Sequence, residues 1–278
     1  MKVEDFEFLA SLLRNKSGLV LTVDKAYLLE SRLMPVARKN GQKDLDELVA
    51  ALRGAANPAL LNDVIEAMTT NESLFFRDMK PFDQLRDLIL PGLLERRADK
   101  KQIRIWCAAC SSGQEPYSIA MLLKEAAAKF VGWRTEIVAT DISVEMLEKA
   151  KSGVYTQFEV QRGLPVTLLV KYFEQNGDKW TISSDIRSMV QFQEFNLLDD
   201  PSAFGTFDVV FCRNVLIYFD QDLKRQVLDK VSGLLPADGV LYLGGAETVL
   251  GVTERFKPVS GQRGMYAQVD GAPPFNVG

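Results

Sequence analysis

The chain contains no histidine in 278 residues. That absence removes Ser-His-Asp triads, Cys-His dyads and histidine-ligated metal centres together. Cysteine is scarce: Cys107, Cys110 and Cys212 are too few, and odd in number, for a disulfide framework. No apolar run reaches the roughly 18 residues that a bilayer span needs. The opening "MKVEDFEFLASLLRNKSG" places two acids ahead of its apolar part, unlike a secretory signal. A cytoplasmic protein with no direct membrane insertion is the default expectation. A basic excess is also missing, the formal net charge being -4, which argues against a nucleic-acid binder. Any chemistry must therefore use Asp, Glu, Arg, Lys, Tyr, Cys or a bound cofactor.

What is present divides the chain. The first eighty or so residues carry helical periodicity and no strand pattern. "VEDFEFLASLLRNKSG" is a helix stopped by Gly18. "VDKAYLLESRLMPVARKNG" is a second, capped by Asp24, closed by Gly41 and kinked or split at Pro35. "DLDELVAALRG" is a third. "NPALLNDVIEAMTTN" is a fourth, with Asn57 as N-cap and Pro58 at the first helical position. After a junction, "NESLFFRDMKPF", comes a helical stretch broken at Pro91. From Ile103 strands and helices alternate, which predicts an α/β fold with a doubly wound, mostly parallel sheet. The interval from Gly153 to Arg187 departs from the alternation and reads as a small inserted β-subdomain, with a turn at "QNGD" before the strand "KWTISS". "FKPVSGQRGMYAQV" reads as a closing hairpin. The expected organisation is an all-α domain over 1–82, an α/β domain over 83–270 with its insert at about 153–190, and an unstructured tail over 271–278.

The segment "IRIWCAACSSGQEPYS" raises two competing readings. Cys107 and Cys110 have redox or metal spacing, but strand alternation would point them to opposite faces. Zinc would need two further ligands, and only Cys212 remains. Packing is the favoured role, and no metal is expected. The turn that follows is neither G-x-G-x-x-G nor a P-loop. Ligands of open α/β sheets bind beyond the carboxyl ends of strands. There the chain places Glu115, in the first turn of a helix, and Asp141, at the end of "IVATD". An acid repels phosphate and suits ribose hydroxyls or a positive charge. Either acid alone is well explained by a structural role, Glu115 as a helix N-terminal acid and Asp141 as a helix cap. Both at successive strand ends favour a cationic nucleoside without phosphates, and S-adenosylmethionine fits.

"TTNESLFFRD", "IWCAACSSGQEPYSIAM", "ATDIS", "FNLLD" and "FCRNVLIYFD" occur in this order over nearly the whole chain. Together they resemble the CheR-type chemotaxis receptor methyltransferases. The resemblance implies a sheet of the S-adenosylmethionine-dependent methyltransferase type. It implies transfer of a methyl group to glutamate side chains of chemotaxis receptors, giving γ-glutamyl methyl esters and S-adenosylhomocysteine. It also implies roles. Asn71, Ser73 and Arg77 would line the cofactor pocket, Glu115 and Asp141 would hold the amino-acid and ribose parts, Asn196 and Leu197 would flank the adenine, and Arg213 and Asn214 would close the site. Ser73 stands where family members often have Thr, and Gln114 where many have Glu.

The residues agree with a carboxylate acceptor. A glutamate, with a pKa of about 4.3, is ionised at neutral pH and needs no general base. Alignment and exclusion of water are what the enzyme must supply. Tyr218 in "NVLIYF" is the candidate to hold the acceptor oxygen, with Arg77 orienting acceptor or cofactor. The N/D-P-P-Y/F-type motif of nitrogen-methylating enzymes is missing here. On the second helix Lys25, Arg32 and Lys39 recur every seven residues, and the resemblance implies that Arg32 and Arg38 help dock the cytoplasmic helical region of a receptor. The turn "EQNGDKW" is short where pentapeptide-tethered members carry a glycine-rich insertion, so a pentapeptide-independent enzyme is expected. A methyltransferase for a small molecule or another protein, or a non-catalytic cofactor-binding module, are the competing readings.

Overall fold

Apolar residues at helical spacing decide the first seventy positions. In a computed structural model describing residues 2–54 and 57–276, they form α1 (Val3–Ser17), α2 (Ala26–Lys39), α3 (Leu45–Arg53) and α4 (Pro58–Met68). Leu9, Leu13, Leu29, Leu33, Leu48 and Val64 are all fully buried in their shared core. Burial of each contributes about 1.5–3 kcal/mol. The ends follow the sequence signals. Gly18 closes α1 in the left-handed conformation, the Asp44 side chain accepts from Glu47 N–H before α3, and Asn57 caps α4 with Pro58 following.

In α2 the expected cap fails, and of the two outcomes expected at Pro35 the split is excluded. Asp24 does not cap it; a 3-10 turn over Val23–Lys25 comes first, and Lys25 stands at the N-cap with no side-chain bond. Pro35 does not split it either. An interior proline costs about 3 kcal/mol. Here Leu33, Val36 and Ala37, on either side of Pro35, are buried in the core, and that packing holds the helix together.

The chain divides between Thr70 and Asn71, rather than after Phe82. One compact unit is Met1–Thr70 with Tyr218–Leu223; the other is Asn71–Ile217 with Lys224–Gly278. The junction belongs to the second unit because Phe75, Phe76 and Phe82 are buried in its core. This unit starts with α5 (Lys80–Gln84), a wide π-type turn over Leu85–Ile89, and α6 (Leu90–Arg96). The wide turn, in which Leu90 N–H reaches back to Leu85 C=O, places Pro91 in a first turn, so the helical stretch runs on past it instead of breaking.

Then come β1 (Gln102–Ala108), α7 (Gln114–Glu125), β2 (Arg134–Asp141), α8 (Val144–Ser152), β3 (Val154–Thr156), α9 (Gln157–Gln161), α10 (Val166–Tyr172), β4 (Phe173–Asn176), β5 (Lys179–Ile182), α11 (Ser184–Arg187) and β6 (Val190–Glu194). β7 (Val209–Cys212), α12 (Gln221–Ser232), β8 (Val240–Leu243), β9 (Phe256–Pro258) and β10 (Met265–Gln268) complete it. The main sheet has the order β6-β2-β1-β7-β8-β10-β9. It is parallel from β6 to β8 and closes with the expected antiparallel hairpin. β1 is buried on both faces, as a central parallel strand must be. Ile103, Ile105 and Cys107 enter one core, while Trp106 stacks on Phe207 with ring centres 5.7 Å apart. Successive strands are laid outward in opposite directions from β1 and β7, so the crevice of a doubly wound sheet opens between those two strand ends.

The insert contains the expected β-structure, and the sheet has three antiparallel strands in the order β3-β5-β4. Its β4–β5 hairpin pairs Asn176 with Lys179, so only Gly177 and Asp178 form the turn, Gly177 at φ 63°. The C-terminal stretch is not an unstructured tail as far as it is described. Pro273 and Pro274 are buried and Phe275 packs on the core. A Cβ at Gly92 would lie 1.8 Å from the Pro274 carbonyl oxygen, so the missing side chain admits the C-terminal segment. Residues 277–278 of that expected tail lie outside the described residues. Among the described residues no helix is long and apolar enough to cross a membrane.

Candidate functional site

The crevice is built on the turn that joins β1 to α7. Ala109 and Ser111 take left-handed φ values of 59° and 50°, and Gly113 follows at 90°. Such values are disfavoured for residues with a Cβ and persist only where surroundings hold them. Several bonds do so. Cys110 N–H donates to Thr140 C=O at 2.9 Å, and Gly113 N–H to Cys110 C=O at 3.0 Å. Tyr155 donates its hydroxyl from the insert to Ser112 C=O at 2.7 Å. The left-handed Ala109 also ends strand alternation. Cys107 and Cys110 therefore do not face opposite sides; both enter the same core, buried and free. Burial pushes both thiols well above the ordinary range.

Asp141 ties this turn to the end of β2. Its Oδ2 accepts from Ser111 N–H at 2.7 Å and its Oδ1 from Ser143 N–H at 2.9 Å. Its carbonyl accepts from Phe195 N–H at 2.9 Å, which brings in the β6 end, where Asn196 Oδ1 accepts from Leu198 N–H and Leu197 is buried. A carboxylate has about four acceptor sites, and these two amides fix the orientation of the Asp141 carboxylate. Ser111 Oγ donates to Asn71 C=O at 2.9 Å, joining the junction segment to the same turn.

An ion network sits opposite. Arg213, immediately after β7, has a side chain only 2% exposed. Its Nη1 donates to Glu115 Oε2 at 3.0 Å, and its Nη2 to Asp78 Oδ2 at 2.6 Å and Arg77 C=O at 3.0 Å. Its Nε is buried and has no partner among the described residues. Burial raises the Glu115 carboxyl above the ordinary range, against the opposing pull of Arg213 and then Arg77. Asn214, at a left-handed φ of 60°, donates its N–H to Glu247 Oε2 at 2.8 Å.

Of the expected residues, Asn71, Arg77, Glu115, Asp141 and Arg213 are linked through this turn and ion network. Asn196 and Leu197 join through Phe195, and Asn214 adjoins Arg213. Ser73 is half-buried in the same segment. Tyr218 is not at the end of β7: it closes a 3-10 turn over Leu216–Tyr218 and groups with the helical unit, where its carbonyl accepts from Val20 N–H at 2.9 Å. Lys25, Arg32 and Lys39 do not form the expected stripe on one helix. Lys25 precedes α2, and Lys39 pairs with Asp63 at 2.8 Å. Arg32 Nη1 donates to Met68 C=O at 2.9 Å, so it caps the end of α4. Arg38 is exposed. Sequence reading missed Asp78 and Glu247. Asp78 stands beside Arg77 in the quoted "FFRD", and Glu247 follows the Gly-Gly turn of "GGAET".

The arrangement offers two carboxylates and one underused guanidinium around a crevice, which suits a ligand carrying hydroxyls, a cation and a carboxylate together. The family model for the CheR methyltransferase SAM binding domain matches residues 71–265, and that for the CheR methyltransferase all-alpha domain matches residues 4–69. A chemotaxis protein methyltransferase of Pseudomonas putida is 40% identical over 268 residues, covering 95% of this chain and 97% of its own. Chemotaxis protein methyltransferase 1 of Pseudomonas aeruginosa is 41% identical over 259 residues, covering 92% and 94%. That of Vibrio parahaemolyticus is 39% identical over 259 residues, covering 92% and 93%.

Proposed function

The chain belongs to the CheR methyltransferase family, and from that premise we propose that it methylates glutamate side chains of methyl-accepting chemotaxis receptors in the cytoplasm, independently of any receptor C-terminal pentapeptide. It is an S-adenosylmethionine-dependent methyltransferase. The observation that carries the reading is the Glu115–Arg213–Asp141 constellation at the carboxyl ends of β1, β2 and β7, in a chain with no histidine.

The donor set fits the cofactor. Glu115 offers its carboxylate to the ammonium of an amino-acid tail, and the orphaned Arg213 Nε, with Arg77, offers donors to the carboxylate of that tail. Asp141, a carboxylate at the end of β2, accepts from ribose hydroxyls, and Asn196 and Leu197 flank the adenine. Asn71 and Ser73 line the pocket, and Asn214 closes it. When bound there, S-adenosylmethionine supplies an electrophilic methyl group. The acceptor carboxylate is ionised at neutral pH, so the chain needs no general base and its task is positioning. Tyr218, assigned by the likeness of "CRNVLIYF", holds a carboxylate oxygen through its phenol without a full ion pair that would blunt the nucleophile. The exposed Arg38 meets the acidic helical region of the receptor. The two-residue turn of the β4–β5 hairpin, which carries no glycine-rich insertion, supports independence from the pentapeptide.

The test is transfer of labelled methyl groups to purified receptor cytoplasmic fragments. Base-labile counts are expected, and Tyr218→Phe should lower turnover by about 100-fold, as loss of a positioned donor does, with S-adenosylhomocysteine affinity within about twofold. Base-stable counts, or none on any receptor fragment, would overturn the glutamate reading. Measurable binding of a receptor C-terminal pentapeptide would overturn independence.

A further inference from the structure

β8 ends at Leu243, and the chain then folds back, Glu247 N–H donating to Gly244 C=O at 3.0 Å. From β10 the Tyr266 hydroxyl donates to the Glu247 carbonyl at 3.3 Å. With its backbone fixed from both sides, Glu247 turns its carboxylate towards the end of β7. Oε2 accepts from Asn214 N–H at 2.8 Å and from Gly244 N–H at 2.6 Å. Oε1 accepts from Val215 N–H at 3.0 Å and from Ile217 N–H at 3.2 Å. Four main-chain amides converge on one side chain. A bare cluster of this kind is an anion cradle; here the chain fills it with its own carboxylate. Gly244 is shaped to the arrangement, because a Cβ there would lie 2.6 Å from Asn214 Nδ2 and 2.7 Å from Glu247 Oε2.

We propose that Glu247 is a positioning residue: it locks the Asn214–Ile217 turn, including the left-handed Asn214, in the shape that presents Arg213 and Asn214 to the cofactor. This rests on the reading that the β1–β7 crevice holds the cofactor. Glu247 acts through amides and need not touch the ligand. Two oxygens serve two amides each, which makes the carboxylate hard to replace. Glutamine has one oxygen, and its amide nitrogen would face two N–H donors. Aspartate keeps both oxygens on a shorter stem.

The experiment combines hydrogen exchange of the amides at 214, 215, 217 and 244 with S-adenosylhomocysteine affinity by calorimetry and a thermal melt. For Glu247→Gln the four amides should exchange about tenfold faster or more, and affinity should fall about tenfold or more, the scale of losing charge-assisted bonds. Amides of β1 and β2 should be unchanged. Glu247→Asp should recover much of both. Wild-type affinity in the Gln variant overturns the proposal, and so does lost affinity with the four amides still protected. If the Gln variant fails to fold, the Asp variant decides. Protection and affinity that move together, or that both stay near wild type, support the role; protection and affinity that part company refute it. A wild-type protein that binds S-adenosylhomocysteine but methylates no receptor refutes the receptor reading and leaves this one standing.

Discussion

Replacing Arg213 with methionine should reveal an asymmetry that a surface ion pair cannot produce. The Arg213 side chain is 2% exposed and that of its partner Glu115 13%. Breaking a buried pair from one side leaves an uncompensated charge and costs about 3–5 kcal/mol. At about 2–4 °C per kcal/mol for a unit of this size, the melting point should drop by about 6–20 °C. Glu115 has a carboxyl already raised by burial, and Arg213 is the largest influence opposing that rise. In Arg213→Met it should therefore be neutral at a still higher pH. Adding Glu115→Gln removes the stranded charge, and the double variant should recover most of the stability, because buried pairs often exchange for neutral groups at little net cost. Cofactor affinity should not recover, since two of the three groups that meet the amino-acid tail are gone and only Arg77 remains. Calorimetric melts of the four proteins of the cycle, with S-adenosylhomocysteine titrations, measure both quantities. A single variant costing under about 1 kcal/mol, the range of exposed pairs, would refute the reasoning. So would a double variant no more stable than Arg213→Met.

Arg32→Ala should destabilise the helical unit by about 1–2 kcal/mol in urea unfolding, because its guanidinium holds the Met68 carbonyl at 2.9 Å. Arg38→Glu should leave stability unchanged and lower receptor methylation; equal turnover would remove it from the docking surface. Gly244→Ala should cost about 1–3 kcal/mol by overpacking against Asn214 and Glu247, and weaken S-adenosylhomocysteine binding. The burial-raised Glu115 carboxyl protonates at a higher pH than the ordinary 4.5. A raised carboxyl favours the fold as pH falls and opposes it as pH rises through the folded pKa. Acidification should thus weaken cofactor binding without this group driving unfolding. Affinity measured against pH should decline from above 4.5, and Glu115→Gln should bind more weakly with a flat profile.

The contrast between these residues shows which features a sequence can carry. α1, α3, α4 and the insert hairpin were legible because local signals set them: Gly18, Asp44, Asn57 with Pro58, and the turn at Gly177. Pro35 misled because its local penalty is overridden by Leu33 and Val36 in a core made by distant residues. The bond of Arg32 to the Met68 carbonyl, 36 positions away, was likewise out of reach, since the spacing from Lys25 and Lys39 says nothing of it.

At the site itself, legibility follows the kind of partner. Glu115 and Asp141 could be found because acids at successive strand ends are chemically out of place unless something binds them. The "CAAC" spacing was conspicuous, yet a left-handed Ala109 folds both sulfurs into the core. Glu247 was invisible for the opposite reason. Its partners at Gly244, Asn214, Val215 and Ile217 are main-chain amides, and every residue but proline has one. No choice of side chain records such a contact except the glycine that makes room for it. A carboxylate that organises backbone is therefore found only when the chain's path is known, and this one organises the turn that carries Asn214 and follows directly on Arg213, both assigned to the cofactor.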